Sequence, residues 1–364
     1  MKRKILIITV TLLASLSLLF TACSKYDETP EAIPSPSPNV ESTPLLTPTP
    51  EPTPEPTPEP TPEPVIVPVD LSFSEITDEI LADMIVNGDI PQKIVELNLK
   101  GNKISDITPL QSLQELAILD LSSNNITDIS SLQSLKELTW LNLNHNQIND
   151  LSALNKLSMI VWLGLHYNNI NDISHLESLA NLDHLDIGLN YLEDITVIAS
   201  LTELTYLNLG NNEITDLTPL NSLTKIGTLD LSGNGLRDLT QLSTLTGLLE
   251  LSISNNEILE IKPLSSLTEL IYLDLSSNSI SDLASLRSLT ALTELYLASN
   301  RISNLTPLRS LVNLTSLDLS YNRIRNITPL LSLTELTSLG IYGNHISRSQ
   351  YSRLGEALPN CYIG

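Results

Sequence analysis

Leu116-Ala-Ile-Leu-Asp-Leu-Ser-Ser-Asn124 is one copy of a nine-residue phrase that returns every 22 residues. Its closing Asn falls at Asn102, Asn124, Asn146, Asn168, Asn190, Asn212, Asn234, Asn256, Asn278, Asn300, Asn322 and Asn344, twelve copies without insertion or deletion. The fourth position is Leu in every copy, from Leu97 and Leu119 through to Leu339. A fixed period of this length specifies a stacked array, because a unit so small cannot bury its apolar side alone.

Within one unit, Leu138-Thr-Trp-Leu-Asn-Leu-Asn-His-Asn146, the alternation of Leu141 and Leu143 with Trp140, Asn142 and Asn144 predicts a short strand. Ile148, Leu151, Leu154 and Leu157 follow at spacings of three and predict a tight helical or 3₁₀ return on the opposite, convex side. Seven apolar columns per unit then face one continuous core. The Asn column has a separate task. A coil this tight leaves backbone groups inside its bend, and an amide side chain can donate to and accept from them. An orphaned buried group costs about 1–3 kcal/mol, which explains why no apolar residue takes the place.

Outward from the repeats, Lys2, Arg3 and Lys4 precede an apolar run from Ile5 to Phe20, the pattern of a secretion signal over residues 1–22. Phe20-Thr-Ala-Cys23 resembles the lipobox of bacterial lipoproteins, which implies lipidation at Cys23. Phe20 departs from the usual aliphatic residue there. Residues 23–68 are expected to form a Pro/Thr/Glu-rich stalk, since fifteen of the chain's 22 prolines lie between Ser24 and Pro68. As polyproline, Pro30 to Pro64 would reach about 110 Å. Residues 69–92 form a predicted N-terminal cap, with Ile76, Ile80, Leu81, Met84 and Ile85 on one helical face, and Ser74 or Thr77 as its N-cap. Residues 93–347 hold the repeats, and 348–364 a closing helix and strand. Cys361 is the only cysteine besides Cys23 and reads as a buried apolar filler.

The 22-residue unit, as in Leu204-Thr-Tyr-Leu-Asn-Leu-Gly-Asn-Asn-Glu-Ile-Thr-Asp-Leu-Thr-Pro-Leu-Asn-Ser-Leu-Thr-Lys225, resembles the leucine-rich repeats of the internalin family. The resemblance implies an α/β solenoid: a curved array with a parallel concave sheet and short turns outside. It also implies protein binding, often as a surface adhesin. The sequence ends at Gly364 with neither a cell-wall sorting motif nor an immunoglobulin-like module. Anchoring is therefore expected at the front, through a lipid on Cys23, and host-cell invasion is not carried over.

Candidate ligand residues come from the strand positions that vary. The third column reads Glu96, Ile118, Trp140, Trp162, His184, Tyr206, Thr228, Glu250, Tyr272, Glu294, Ser316, Ser338. Both tryptophans sit in it on adjacent strands, and about 4.8 Å between strands would bring Trp140, Trp162, His184 and Tyr206 into one strip beside Ile118. His145, His166, Tyr167 and Asp186 flank the strip, and Gly164, Gly188 and Gly210 are expected to leave a shallow trough. Aromatics are only 4% of the chain, so their concentration in one column favours a binding surface over cross-strand stiffening. His145 and His166 have no third metal ligand fixed by spacing. The recurring Asp of the outer turns, Asp106 to Asp282, reads as structural, with Thr capping each turn and Pro at its first position. One carboxylate per turn is too few for calcium.

A net charge of −23 excludes nucleic acid and suits partners with basic patches. Arg287, Arg301, Arg309, Arg323, Arg325, Arg348 and Arg353 gather in the last quarter, as a mixed solvated face or a second contact surface. No catalytic constellation or cofactor motif emerges. The expected function is a non-enzymatic, monomeric, surface-displayed protein binder, adhesin-like or receptor-like. The expected location is the extracellular face of the cytoplasmic membrane, or alternatively an outer membrane. A glycan-binding envelope protein and a passive scaffold are the other two readings.

Overall fold

The computed structural model describes residues Pro68–Gly364; the predicted signal, Cys23 and the stalk up to Val67 lie outside the described residues. Fourteen strands pair in chain order into one parallel sheet: β1 (Val69–Asp70), twelve three-residue strands from β2 (Glu96–Asn98) to β13 (Ser338–Gly340), and β14 (Tyr362–Ile363). Each of the twelve repeats contributes one strand, and eleven 3₁₀ turns, from Thr108–Ser112 to Thr328–Ser332, form the opposite side. Seven apolar residues per unit are buried: Leu116, Leu119, Leu121, Ile126, Ile129, Leu132 and Leu135 in one case. A single cluster of them runs unbroken from Ile76 to Leu358.

The Asn column ties each unit to the unit before it. Nδ2 of Asn212 donates to the carbonyls of Leu209 (3.0 Å) and Gly210 (3.4 Å) in its own bend, and to Ile187 of the preceding unit (3.2 Å). Its Oδ1 accepts from the N–H of Leu192, at 3.0 Å. The same bonds recur along the column, and Asn102 repeats them with the cap residues Leu71, Ser74 and Ile76. One amide therefore closes a bend and clamps two repeats.

The residue before each of these Asn residues turns the chain by adopting the left-handed conformation. Side chains as large as His145, Tyr167, Leu189 and Tyr321 stand there with φ between 53° and 56°. Each costs roughly 1–2 kcal/mol on its own, so the bend is held by the clamp beside it.

The outer turns correct the expected capping. Thr is the first residue of the turn and not its cap; the acceptor is the Asp two residues earlier. Asp216 Oδ1 takes the Thr218 N–H at 2.8 Å, and Asp128 takes that of Ser130 at 2.8 Å. Pro accordingly falls at the second position, as Pro219 does in Thr218–Ser222.

At the front, α1 (Asp78–Asn87) is capped by Thr77 and ends at Gly88 with φ 81°. Leu81 and Ile85 are buried, whereas Ile80, expected on the core face, is exposed. At the back, α2 (Arg348–Ala357) covers the last turn and leads into β14, with Cys361 half-buried against the core.

Replacing Asn212 by Ala would orphan the buried Leu192 N–H and take one of two donors from each of the carbonyls of Ile187, Leu209 and Gly210. We expect a loss of about 2–3 kcal/mol in denaturant melts. Asn211→Gly is the matched control, because Asn211 holds φ 55° and glycine suits that conformation. It should stay within about 0.5 kcal/mol of the parent. Equal losses would show that the amide is not the clamp.

Candidate functional site

The third-column residues are in direct register. Ile118 pairs with Trp140, Trp140 with Trp162, Trp162 with His184 and His184 with Tyr206, along β3 to β7 (Ile118–Asp120, Trp140–Asn142, Trp162–Gly164, His184–Asp186, Tyr206–Asn208). Register alone would place these rings about 4.8 Å apart. The side chains go further and stack. Ring centroids lie 4.4 Å apart for Trp140–Trp162, 4.9 Å for Trp162–His184 and 3.9 Å for His184–Tyr206, with interplanar angles of 15°, 17° and 5°. Four rings thus form one column running along the sheet, each partly buried.

The expected trough is absent, because the glycine spaces are filled. A Cβ on Gly164 would lie 2.8 Å from the Trp162 ring and from Asn144 Oδ1. One on Gly188 would lie 2.9 Å from His166 Nδ1 and Asn208 Oδ1. The glycines let the strip lie down on the sheet instead of opening a groove beside it. This follows from side-chain size: an indole on a three-residue strand covers the position two residues along.

Beside the column, His166 Nδ1 is buried 3.3 Å from Asp186 Oδ1, close enough for an ion pair though not aligned as a hydrogen bond. The neighbouring Asp186 holds the His166 pKa above its ordinary value, against the effect of burial. His145 packs on the rings of His166 (5.7 Å) and Tyr167 (5.1 Å), and Tyr167 itself is exposed. His145 and His166 therefore meet as rings, and among the described residues no group of three potential ligands gathers to hold a metal.

Electrostatics separate the members of the stack. Burial between Trp162 and Tyr206 lowers the His184 pKa to about 4, although Asp186 and Asp183 pull it the other way. Burial and nearby carboxylates raise Tyr206 to about 12. At neutral pH the strip is consequently uncharged, with Asp186 along its flank.

Three features escaped the sequence reading. The acidic fifth column is tied into the backbone: Asp120, Asp230, Asp274 and Asp318 each accept an N–H two residues on, at 2.8 Å. A second aromatic pair, Tyr272–Tyr296 at 5.6 Å, sits further along the face, with Tyr296 Oη donating to Glu294 at 2.8 Å. A shallow depression of about 520 Å³ lies on the loop edge beside Tyr167, Leu189 and Tyr191, away from the stack. Tyr296 stands in the fifth column, where Asp and Asn dominate, and that exception was the available signal.

The lowered His184 pKa carries a pH consequence. As pH falls, the unfolded chain takes up this proton near 6.5 and the folded chain only near 4. The stability that the neutral His184 contributes is thus full above about pH 6.5 and drains between there and pH 4. His184→Phe keeps a ring in the stack without the titration, so its stability should fall less than the parent's across that window. Parallel pH–stability curves for the two proteins would contradict the burial of this imidazole.

Comparison with known proteins agrees with the fold. Leucine-rich-repeat family profiles match residues 92–148, 202–246, 268–310 and 310–327. No curated protein sequence matches the chain. Among solved structures, the internalin InlF of Listeria monocytogenes is 37% identical with a TM-score of 0.71, covering 75% of this chain and 80% of its own. A leucine-rich-repeat protein of Leptospira interrogans is 28% identical with a TM-score of 0.70, covering 74% and 72%. The ectodomain of the Arabidopsis thaliana receptor kinase GASSHO1/SCHENGEN3, solved with CASPARIAN STRIP INTEGRITY FACTOR 2, shares the fold at 24% identity and a TM-score of 0.62, covering 75% and 38%. The twelve-unit register, the Asn clamp and the extent of the match to InlF carry one conclusion: the chain belongs to the internalin-type leucine-rich-repeat family.

Proposed function

We propose that this protein is a non-enzymatic, surface-displayed binder of another protein, adhesin-like or receptor-like, and that it binds through its concave strand face. The observation that carries this reading is the four-ring column of Trp140, Trp162, His184 and Tyr206. Interfaces depend on a few large, rigid aromatic anchors, and rings locked by stacking lose little further entropy on binding. The column is uncharged at neutral pH and has Ile118 at one end and Asp186, His166 and Tyr167 beside it. That combination fits an apolar protein patch with a basic rim.

The stack also weighs against a glycan on this face. Sugar rings pack on open aromatic faces, and here the facing sides of the four rings are spent on one another. A passive scaffold has no need of both tryptophans in one exposed column.

The display arrangement is part of the proposal. The secretion-signal pattern and Phe20-Thr-Ala-Cys23 support a lipid anchor on Cys23, followed by the Pro-rich stalk. The monomeric state is inferred too, from a solenoid whose ends are both capped by helices.

Two experiments test this reading. Trp140→Ala with Trp162→Ala should abolish capture of the protein partner while stability falls by only about 1–3 kcal/mol, the worth of the two lost ring pairs. Tyr272→Ala should capture normally; retained capture in the double variant would remove the strip as the site. Separately, Cys23→Ser should shed the protein from membranes or leave it unprocessed. A parent chain that takes up no labelled fatty acid would refute the anchor.

A further inference from the structure

Cations on this protein are few, and the two that follow an anchor Asn on the loop edge of the earlier units, Lys103 and Arg237, are paired. Lys103 meets Glu75, Lys225 meets Glu203 at 2.7 Å, and Arg237 meets Glu257. The exception is the loop edge of the last units. Arg301, Arg323 and His345 each follow the anchor Asn of their unit by one position, and Arg325 follows Asn322 by three. Among the described residues none of the four forms an ion pair, and all are exposed.

The backbone sets them side by side. Arg301, Arg323 and His345 donate their N–H to Ile280, Ile302 and Ile324 at 2.9, 2.8 and 2.9 Å, the same inter-unit bond three times. Their spacing along the edge is therefore one repeat, about 4.8 Å. Arg325 lies twenty residues before His345, the same offset as Arg237 to the Glu257 it grips, so it stands on the same edge. Like charges held this close repel unless an anion joins them.

Carboxylates have been removed from the same edge without loss of structure. The outer-turn cap is Asp in eight units, Asp106 to Asp238 and Asp282, but becomes Asn304 and Asn326 beside the arginines. The capping bond survives: Asn304 and Asn326 accept the N–H of Thr306 and Thr328, both at 3.0 Å. Only the charge is gone. From Arg301 to Gly364 the chain has six arginines against three carboxylates, Asp318, Glu335 and Glu356, within a protein of net charge −23.

Tyr321 and Tyr342 stand next to this row, exposed and edge-to-face with centroids 5.5 Å apart. Unlike the rings of the central stack, an edge-to-face pair leaves ring faces open. We propose that the loop edge formed by Arg301, Arg323, Arg325 and His345, with Tyr321 and Tyr342, is a second binding site that takes an anionic glycan. Planar guanidinium groups one repeat apart engage the repeated sulfate, phosphate or carboxylate groups of the polymer. The tyrosines receive its sugar rings. This site is separate from the strand-face strip and does not depend on it.

Immobilised heparin, a sulfated glycan, is the probe, with dextran and polyglutamate as neutral and acidic-polypeptide comparisons. The full-length chain should be retained on heparin at low salt, released by added salt, and pass through dextran. Replacing Arg301, Arg323 and Arg325 by Ser, which occupies the equivalent positions of other units, should weaken retention roughly tenfold or more. Asn304→Asp with Asn326→Asp keeps the capping acceptors and restores the charge, so it should weaken heparin binding with no change in melting. Arg287→Ser with Arg309→Ser, on the outer turns, should bind as the parent does. The proposal is overturned if the parent fails to bind heparin, if the triple variant binds equally well, or if polyglutamate is held as tightly as heparin.

Discussion

Everything in this molecule depends on the side-chain amide of the repeated Asn. With Nδ2 on carbonyls of two units and Oδ1 on an N–H of the preceding one, it satisfies backbone groups that a bend of this tightness would otherwise bury unpaired. The leucine core supplies most of the free energy but is indifferent to register, since one Leu layer resembles the next. The amide is not indifferent. It fixes each unit against its neighbour, and it supports a left-handed residue at every turn even where that residue is His145 or Tyr167.

That fixed register is what turns columns of sequence into surfaces. Once strands repeat without slippage, every third-position residue meets its counterpart 22 places away, as Trp140 meets Trp162. The same rule aligns Arg301 with Arg323 on the loop edge. The fold thus leaves whole columns free of structural duty, and the protein writes different chemistry at different heights: neutral aromatic in the middle units, basic at the last.

Much of this was legible in the sequence because the period is unbroken. The strand positions, the seven core columns and the neighbours of Trp140, Trp162, His184 and Tyr206 all follow from counting by 22. What counting could not supply is the rotamer. It placed Gly164 and Gly188 beside the strip and suggested a hollow, whereas the indole of Trp162 and the ring of His166 lie in those spaces. Nor does a spacing rule reveal which polar group makes a hydrogen bond. Thr218 looked like the cap of its turn, and Asp216 two residues earlier is the acceptor, because a 3₁₀ turn starts with its first N–H pointing back at that carboxylate. Ile80 has helical periodicity with Leu81 and Met84, yet it sits at the rim of α1 and faces outward.

The strand register presses the aromatic side chains into one continuous stack on the exposed face. This chain contains only two tryptophans, Trp140 and Trp162, so their interaction can be read alone. Circular dichroism in the indole bands measures it directly, since two rings at 4.4 Å and 15° couple as an exciton pair. The folded parent should show a couplet that disappears when either tryptophan is replaced by Phe, with the fold intact. A folded parent without the couplet, or a couplet that survives loss of one indole, would contradict that stacking.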